Sequence, residues 1–210
     1  MRKEKGLFIT FEGIDGSGKS TQVVTLQRVL KSRGYEVILI REPGGTTIGE
    51  KIRSILLDRA NDQMRPETEL LLYEAARAQI VREVIAPALR LGKAVICDRF
   101  YDSTVAYQGY ARGLSLESID FLNHLASGGV EPDITFLLDL PAEEAWKRRH
   151  GRTHGEDRLE AEGMEFMRSV RDGYLLLATK HPRVHILDAM LTAEELTEYI
   201  YCKVWEVIDT

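Results

Sequence analysis

The sequence predicts an α/β protein, a three-layer α/β/α arrangement around a five-stranded parallel sheet. Three observations lead there. Short apolar runs rich in β-branched and aromatic residues recur five times, and between them lie segments with apolar residues at helical spacing. Such alternation of strand and helix favours right-handed crossovers and therefore parallel pairing. The third run, Ala94-Val95-Ile96-Cys97-Asp98, is almost wholly apolar, the pattern of a strand covered on both faces. A chain of 210 residues with 44% hydrophobic content can bury one full core, so a single domain over 1–210 is expected.

Each element has its own warrant. Leu7-Phe8-Ile9-Thr10-Phe11 is the first strand. Thr21 to Lys31 is a helix, with Val23, Leu26, Val29 and Leu30 at helical spacing and Gly34 as its stop. Glu36 to Ile40 is the second strand and ends in the polar turn Arg41-Glu42-Pro43-Gly44-Gly45-Thr46. Ile48 to Leu57 is helical, with Ile52, Ile55 and Leu56 on one side, and Asn61 to Pro66 is a loop. A long helical pattern runs from Glu67 to Leu91, which Pro87 ends or kinks because it lacks the N–H that a helix interior needs. The third strand delivers Asp98 and Arg99 at its C-terminal end. Helices at Thr104 to Tyr110 and Leu116 to Ala126 precede the fourth strand, Ile134 to Leu140. Ala142 to Arg149 is a helix that runs into a polar, glycine-containing segment at 148–158. Leu159, Phe166, Val170, Tyr174 and Leu177 mark a further helix, Val184 to Leu187 the fifth strand, and Leu196 to Val207 a closing helix.

Composition narrows the classes. A net charge of -5 argues against a general nucleic-acid binder. Two cysteines, Cys97 and Cys202, make no disulfide framework and suit a reducing compartment. The apolar run after the basic N-terminus ends at Glu12, too short for a signal peptide or a membrane span, so no membrane partner and a cytoplasmic location are expected. The histidines show no metal spacing; His150 and His154 are four apart in a glycine-bearing segment and suggest no zinc site.

The stretch Gly13-Ile14-Asp15-Gly16-Ser17-Gly18-Lys19-Ser20 matches the phosphate-binding loop pattern, Gly, four residues, Gly-Lys-Ser. Glycines let backbone N–H groups turn inward toward phosphate oxygens. Lys19 supplies a point charge to the terminal phosphates, Ser20 a hydroxyl for magnesium, and the helix beginning near Thr21 the positive end of its dipole. Strand, loop and helix in that order are the context the pattern demands. A nucleoside triphosphate with magnesium is the expected ligand. Parallel sheets hold ligands beyond the carboxyl ends of their strands, where Arg41 and Asp98 also fall.

Beyond that loop, the chain carries Arg41-Glu42-Pro43-Gly44-Gly45-Thr46, Ala75-Ala76-Arg77, Asp98-Arg99-Phe100 and Ser103-Thr104-Val105-Ala106-Tyr107-Gln108-Gly109. Together with Phe11-Glu12 before the loop and Thr21 after it, these resemble the thymidylate kinase family, P-loop proteins of the nucleoside monophosphate kinase kind. The resemblance runs from the first strand to about Arg158. It implies transfer of the γ-phosphoryl group of ATP to dTMP, giving dTDP and ADP on the way to dTTP, with Mg2+, a short lid at 148–158 and a homodimer whose candidate face is the Glu67 to Leu91 helix. Phe100 stands where many members carry Tyr or His.

Site roles follow from the resemblance, each weighed against a plainer reading. Arg41, Arg77 and Arg99 hold the acceptor phosphate, although a lone arginine is usually a solvated charge. Asp15 places a carboxylate inside an anion-binding loop, a cost explained if it accepts a hydrogen bond from the sugar 3′-hydroxyl. Tyr73 and Tyr107 correspond to base-stacking and sugar-facing aromatics, and Thr104 and Gln108 to the thymine edge. Asp98 joins Ser20 at magnesium; Asp139 is a rival, but a carboxylate capping the helix after Pro141 explains it better. Gly16 and Ser17 leave the phosphate loop without an arginine, so the chain resembles the members whose catalytic arginine lies in the lid, with Arg152 and then Arg149 the candidates among Arg148, Arg149, Arg152 and Arg158. Two other readings stay open: a kinase of another nucleoside monophosphate or a deoxynucleoside, and a nucleotide-switched binding protein.

Overall fold

The computed structural model describes residues 6–150 and 158–209. Arg152 and His154 lie outside the described residues, as do the side chains of Arg149 and His150. Five parallel strands form one sheet: β1 Leu7–Glu12, β2 Val37–Arg41, β3 Ala94–Asp98, β4 Ile134–Asp139 and β5 Val184–Asp188, in the spatial order β2-β3-β1-β4-β5. β1 is central because it can be: every residue from Leu7 to Glu12 is buried, and the pleat sends Leu7, Ile9 and Phe11 to one apolar cluster and Phe8 to another. Thr10 is the polar exception and pairs with Thr135 on β4, Oγ1 to Oγ1 at 2.7 Å. Phe8 meets Phe100 edge-on at 5.0 Å in the second cluster, alongside Ile80, Val81 and Val95. Truncating such a side chain to alanine costs about 3–5 kcal/mol.

Helices cover both faces: α1 Lys19–Ser32, α2 Thr47–Leu57, α3 Pro66–Ile80, α4 Ala86–Arg90, α5 Tyr101–Thr104, α6 Leu116–Ser127, α7 Ala142–His150, α8 Met164–Ala178 and α9 Ala193–Asp209. Their ends follow local chemistry. Thr46 starts α2 by accepting from Gly49 N at 2.9 Å, and Gly128 ends α6 in the left-handed region at φ 59. The predicted helix from Glu67 to Leu91 is three pieces, with a π-helical turn at Val81–Ile85 between α3 and α4. Pro87 follows at the second residue of α4, where its missing N–H and its ring disturb the regular ladder. The helix predicted at Thr104 to Tyr110 is likewise α5 followed by a π-helical turn, Val105–Ala111. Among the described residues, no helix is long and apolar enough to cross a membrane.

Candidate active site

β1 hands the chain directly to the phosphate-loop motif, which ends on α1. At Gly13 the backbone is left-handed, φ 130, and a Cβ there would stand 2.5 Å from Leu138 O, so only glycine lets the loop lie against β4. Among the described residues no side chain caps α1 at its left-handed Gly18, which leaves the helix start to an anion. Lys19 is buried and donates to Gly13 O at 2.9 Å and Ile14 O at 3.0 Å. Burial, with Arg99 nearby, pushes its pKa down. Ile14 contributes only backbone here; its side chain belongs to the core. Ser20 Oγ donates to Asp98 Oδ2 at 3.3 Å. Lys19, Ser20 and Asp98, with Asp15, Gly16, Gly18, Thr21 and Arg41, line a polar cavity of about 290 Å³.

A second cavity, of about 240 Å³, adjoins it. Tyr73, Thr104, Tyr107 and Gln108 line it, the last residue of α5 and two residues of the π-helical turn among them. Thr104 Oγ1 is buried with no partner among the described residues, so this wall has hydrogen-bonding capacity to spare. The two cavities share Asp15, Glu42, Arg53 and Arg99.

Arg99 is the hinge of that shared wall. Its φ of 72 is left-handed, a conformation that costs an L-residue about 1–2 kcal/mol. Neighbouring hydrogen bonds hold it there: Arg99 N donates to Phe11 O at 2.9 Å, and Phe100 N to Glu12 Oε1 at 2.7 Å. The guanidinium donates to Asp15 Oδ1 at 2.8 Å and to Tyr174 Oη at 3.0 Å, and lies over the Tyr107 ring. Glu12, 1% exposed, also accepts from Ser103 Oγ at 2.6 Å and Tyr174 Oη at 2.8 Å. Burial, with Asp102 nearby, pushes the Glu12 carboxyl up to about 7. The arrangement presents cations to two anions on either side of one wall, which is what phosphoryl transfer between two bound phosphates needs.

Comparison with known proteins decides the family. The thymidylate kinase family model matches residues 11–200. The chain belongs to the thymidylate kinase family. A thymidylate kinase of Caldanaerobacter subterraneus subsp. tengcongensis is 54% identical over 183 residues, 87% of this chain and 86% of that one. One of Desulfosudis oleivorans is 51% identical over 197 residues, 90% and 92% of the two chains. The crystal structure of thymidylate kinase from Ehrlichia chaffeensis superposes with a TM-score of 0.75 at 37% identity, covering 98% of this chain and 99% of that one.

Against what the resemblance to thymidylate kinases implied, two residues are placed differently. Arg77 lines neither cavity: it is 1% exposed and donates to Glu42 at 2.8 Å, Glu74 at 2.6 Å and Asn123 at 3.0 Å. Its charge is paired with buried carboxylates, so the structure holds it against the protein instead of presenting it to either cavity. Asp139 does not act as the expected helix cap; Arg171 binds both its oxygens, at 2.6 and 2.8 Å. Arg41 lines the phosphate-loop cavity but not its neighbour, and pairs with Glu50 at 3.0 Å. Arg148 reaches back to Gly16 O at 3.5 Å and Ala189 O at 3.2 Å. Arg158 is buried, with Nε donating to Leu56 O at 2.8 Å and the guanidinium 2.6 Å from Glu69.

The sequence reading missed four residues of this thymidylate kinase site. Arg53 lines both cavities, yet in the sequence it is one more charge on an amphipathic helix. Tyr174 has the spacing of a core residue, and nothing in the spacing betrays what its hydroxyl does. Glu12 and Ser103 stood inside quoted motifs. A carboxylate closing a buried, mostly apolar strand was the available signal for Glu12.

Proposed function

We propose that the two cavities divide the thymidylate kinase reaction between them, with ATP at the phosphate loop and dTMP in the chamber beside it. The chain transfers the γ-phosphoryl group of ATP to dTMP, giving dTDP and ADP. The observation that carries the division of labour is the wall of Asp15, Glu42, Arg53 and Arg99 common to both cavities. A phosphate oxygen of dTMP attacks the γ-phosphorus, the bond to the β,γ-bridging oxygen breaks, and ADP leaves with that electron pair. The attacking oxygen is already largely ionised at neutral pH, so no strong base is needed. Positioning and charge neutralisation carry the catalysis.

In this reading Lys19 leaves its loop carbonyls for the terminal phosphates of ATP. Arg99 and Arg53 hold the acceptor phosphate from the shared wall, and Arg41 supports the ATP side. Asp15, oriented by Arg99, accepts from the sugar 3′-hydroxyl. Tyr107 lies under the sugar and excludes a 2′-hydroxyl, Tyr73 stacks on the base, and Thr104 and Gln108 meet its edge. Magnesium fits the donors present: the Ser20 hydroxyl and the Asp98 carboxylate meet at 3.3 Å, and hard oxygen donors of this kind hold it together with substrate phosphates. When bound, it neutralises charge on the β- and γ-phosphates. Arg152 and Arg149 remain the candidates for a lid cation. The protein acts as a homodimer, with Leu71 of α3 exposed on the candidate face, and its free Cys97 and Cys202 suit the cytoplasm.

The test measures ADP release with ATP alone and with dTMP, dUMP, AMP, GMP or thymidine added. Release should require dTMP above the others, and Lys19→Ala should abolish most turnover while the fold survives. Equal release without any acceptor would favour the nucleotide-switched protein, and near-parental turnover in Lys19→Ala would sink the phosphate-loop assignment.

A further inference from the structure

Gln108 is one of the walls of the dTMP chamber, and an amide can present either of two faces to a base. One end donates, the other accepts, and the two differ only by a half-turn of the side-chain amide. Here the choice is made by a buried neighbour. Gln108 Nε2 donates to Glu69 Oε1 at 2.8 Å. Glu69 is 1% exposed and offers acceptors only, because Arg112 donates to it at 3.1 and 3.2 Å and Arg158 stands 2.6 Å away. Burial alone would raise its pKa, but hydrogen bonds from Arg112 and Gln108, with the charges of Arg112 and Arg158, hold it below the usual carboxylate range. An ionised carboxylate cannot accept the reversed amide, since that would set oxygen against oxygen. With Nε2 committed to Glu69, Oε1 is the end of the amide left for the chamber that Gln108 lines.

We infer that Glu69 is a positioning residue that fixes the Gln108 amide with its oxygen toward the base, so that the chamber takes pyrimidines with a donor at N3 and rejects those with an acceptor there. Thymine and uracil carry N3–H. Cytosine carries a lone pair at N3, which would face the amide oxygen unpaired. The inference rests on the reading that Gln108 meets the base edge, and it adds what decides the direction of that contact. Glu69 itself touches no substrate. The two arginines that keep it ionised are Arg112, which caps the π-helical turn, and Arg158, at the end of the segment 148–158, so the base-reading amide is held from two separate parts of the chain.

The experiment compares dUMP with dCMP, which both lack the methyl group and differ only around N3 and position 4. We would measure kcat/KM for each, and the dTMP KM, on the parent enzyme, Glu69→Gln, Arg112→Met and Gln108→Met. The parent should prefer dUMP strongly. Glu69→Gln, whose neutral amide accepts either orientation of its neighbour, should cut the dUMP/dCMP ratio roughly tenfold, the scale of one buried hydrogen bond. Arg112→Met removes one of the two arginines that hold Glu69 ionised but leaves Arg158 and the Glu69–Gln108 bond, so it should lower Tm and move the ratio less than Glu69→Gln does. A purely structural Glu69 would lower kcat/KM for both nucleotides alike; an unchanged ratio in folded Glu69→Gln overturns the inference. Should that variant fail to fold, a parent enzyme that uses dCMP as well as dUMP overturns it without any substitution. Gln108→Met separates the two layers. An unchanged dTMP KM there removes Gln108 from the base edge altogether, whereas a raised KM with an unmoved ratio in Glu69→Gln refutes only the role of Glu69.

Discussion

Removing a single hydroxyl from α8 should loosen the phosphate clamp on the opposite side of the sheet's carboxyl edge. Tyr174 Oη donates to Glu12 Oε2 at 2.8 Å, accepts from Arg99 Nη1 at 3.0 Å and lies 2.7 Å from Ser103 Oγ. Tyr174→Phe keeps the ring, which is 1% exposed and meets Tyr107 edge-on at 6.3 Å, so packing survives and only the polar contacts go. Hydrogen bonds to charged groups contribute about 1.5–3 kcal/mol each. Glu12 retains Phe100 N and Ser103 Oγ as donors, and Arg99 retains Asp15, so the net loss should sit near the lower end. About 2 kcal/mol corresponds to a fall of about 4–8 °C in Tm for a chain of this size. Arg99 then samples more positions, and kcat/KM for dTMP should fall by about tenfold, equivalent to about 1.4 kcal/mol of lost transition-state binding. Thermal unfolding and steady-state kinetics with dTMP varied at saturating ATP measure both. A variant with parental Tm and parental kcat/KM would refute the argument. A lower Tm with unchanged kcat/KM would show that the hydroxyl stabilises the fold without setting Arg99.

Other expectations follow from the same geometry. Asp15→Ala should narrow the gap between dTMP and a 3′-deoxy analogue, since the carboxylate that rewards the 3′-hydroxyl is gone; a variant that discriminates as strongly as the parent removes Asp15 from the sugar site. Arg77→Met should act on stability rather than on the dTMP KM, costing about 3–5 kcal/mol because Glu42 and Glu74 are left buried without their counter-charge. A folded variant of parental Tm with a much higher dTMP KM would restore Arg77 to the phosphate site. Burial, against the attraction of Arg77, pushes the Glu42 carboxyl up to about 7 from 4.5. The folded state therefore binds a proton that the unfolded state has lost, and the contribution of Glu42 to stability declines as pH rises through that window. The Tm of Glu42→Gln relative to the parent should thus improve between about pH 5 and about pH 8, and a constant difference would contradict the raised pKa.

Strands were the most legible part of the sequence. Apolar runs such as Leu7 to Phe11 and Ala94 to Asp98 have only one way to hide both faces; the structure extends the first to Glu12 and leaves the second unchanged, while β2 is shifted by one residue from Glu36–Ile40 and β4 stops one residue short of Leu140. Helix boundaries were less so, because π-helical turns leave no periodic signature of their own; the Val105–Ala111 turn looks like ordinary helix until its hydrogen bonds are seen. Individual motifs placed Lys19, Ser20, Asp98, Arg99, Tyr107 and Gln108 around two adjoining cavities. The fate of Arg77 was hidden because a motif names a residue without naming its neighbours. Only packing reveals that Glu42, Glu74 and Asn123 converge on it from three elements. Tyr174 was hidden for the converse reason, since a tyrosine at core spacing reads the same whether or not its hydroxyl has partners.

The strand order β2-β3-β1-β4-β5 has a consequence for biosynthesis. β1 and β2 are made first but never touch; Ala94 of β3 pairs with both Leu7 and Val37. A nascent chain that has emerged only as far as Gly92 therefore carries two apolar strands with nothing between them, and its phosphate loop hangs from an unpaired β1. The central strand must wait for a partner made much later, and the far side of the sheet waits longer still for β4. Long-range pairing of this kind folds slowly and exposes strand edges meanwhile. A translational pause just upstream of Ala94 would prolong the period in which those edges are open to other chains, whereas a pause after β4 would find the nucleotide-binding loop already anchored on both sides.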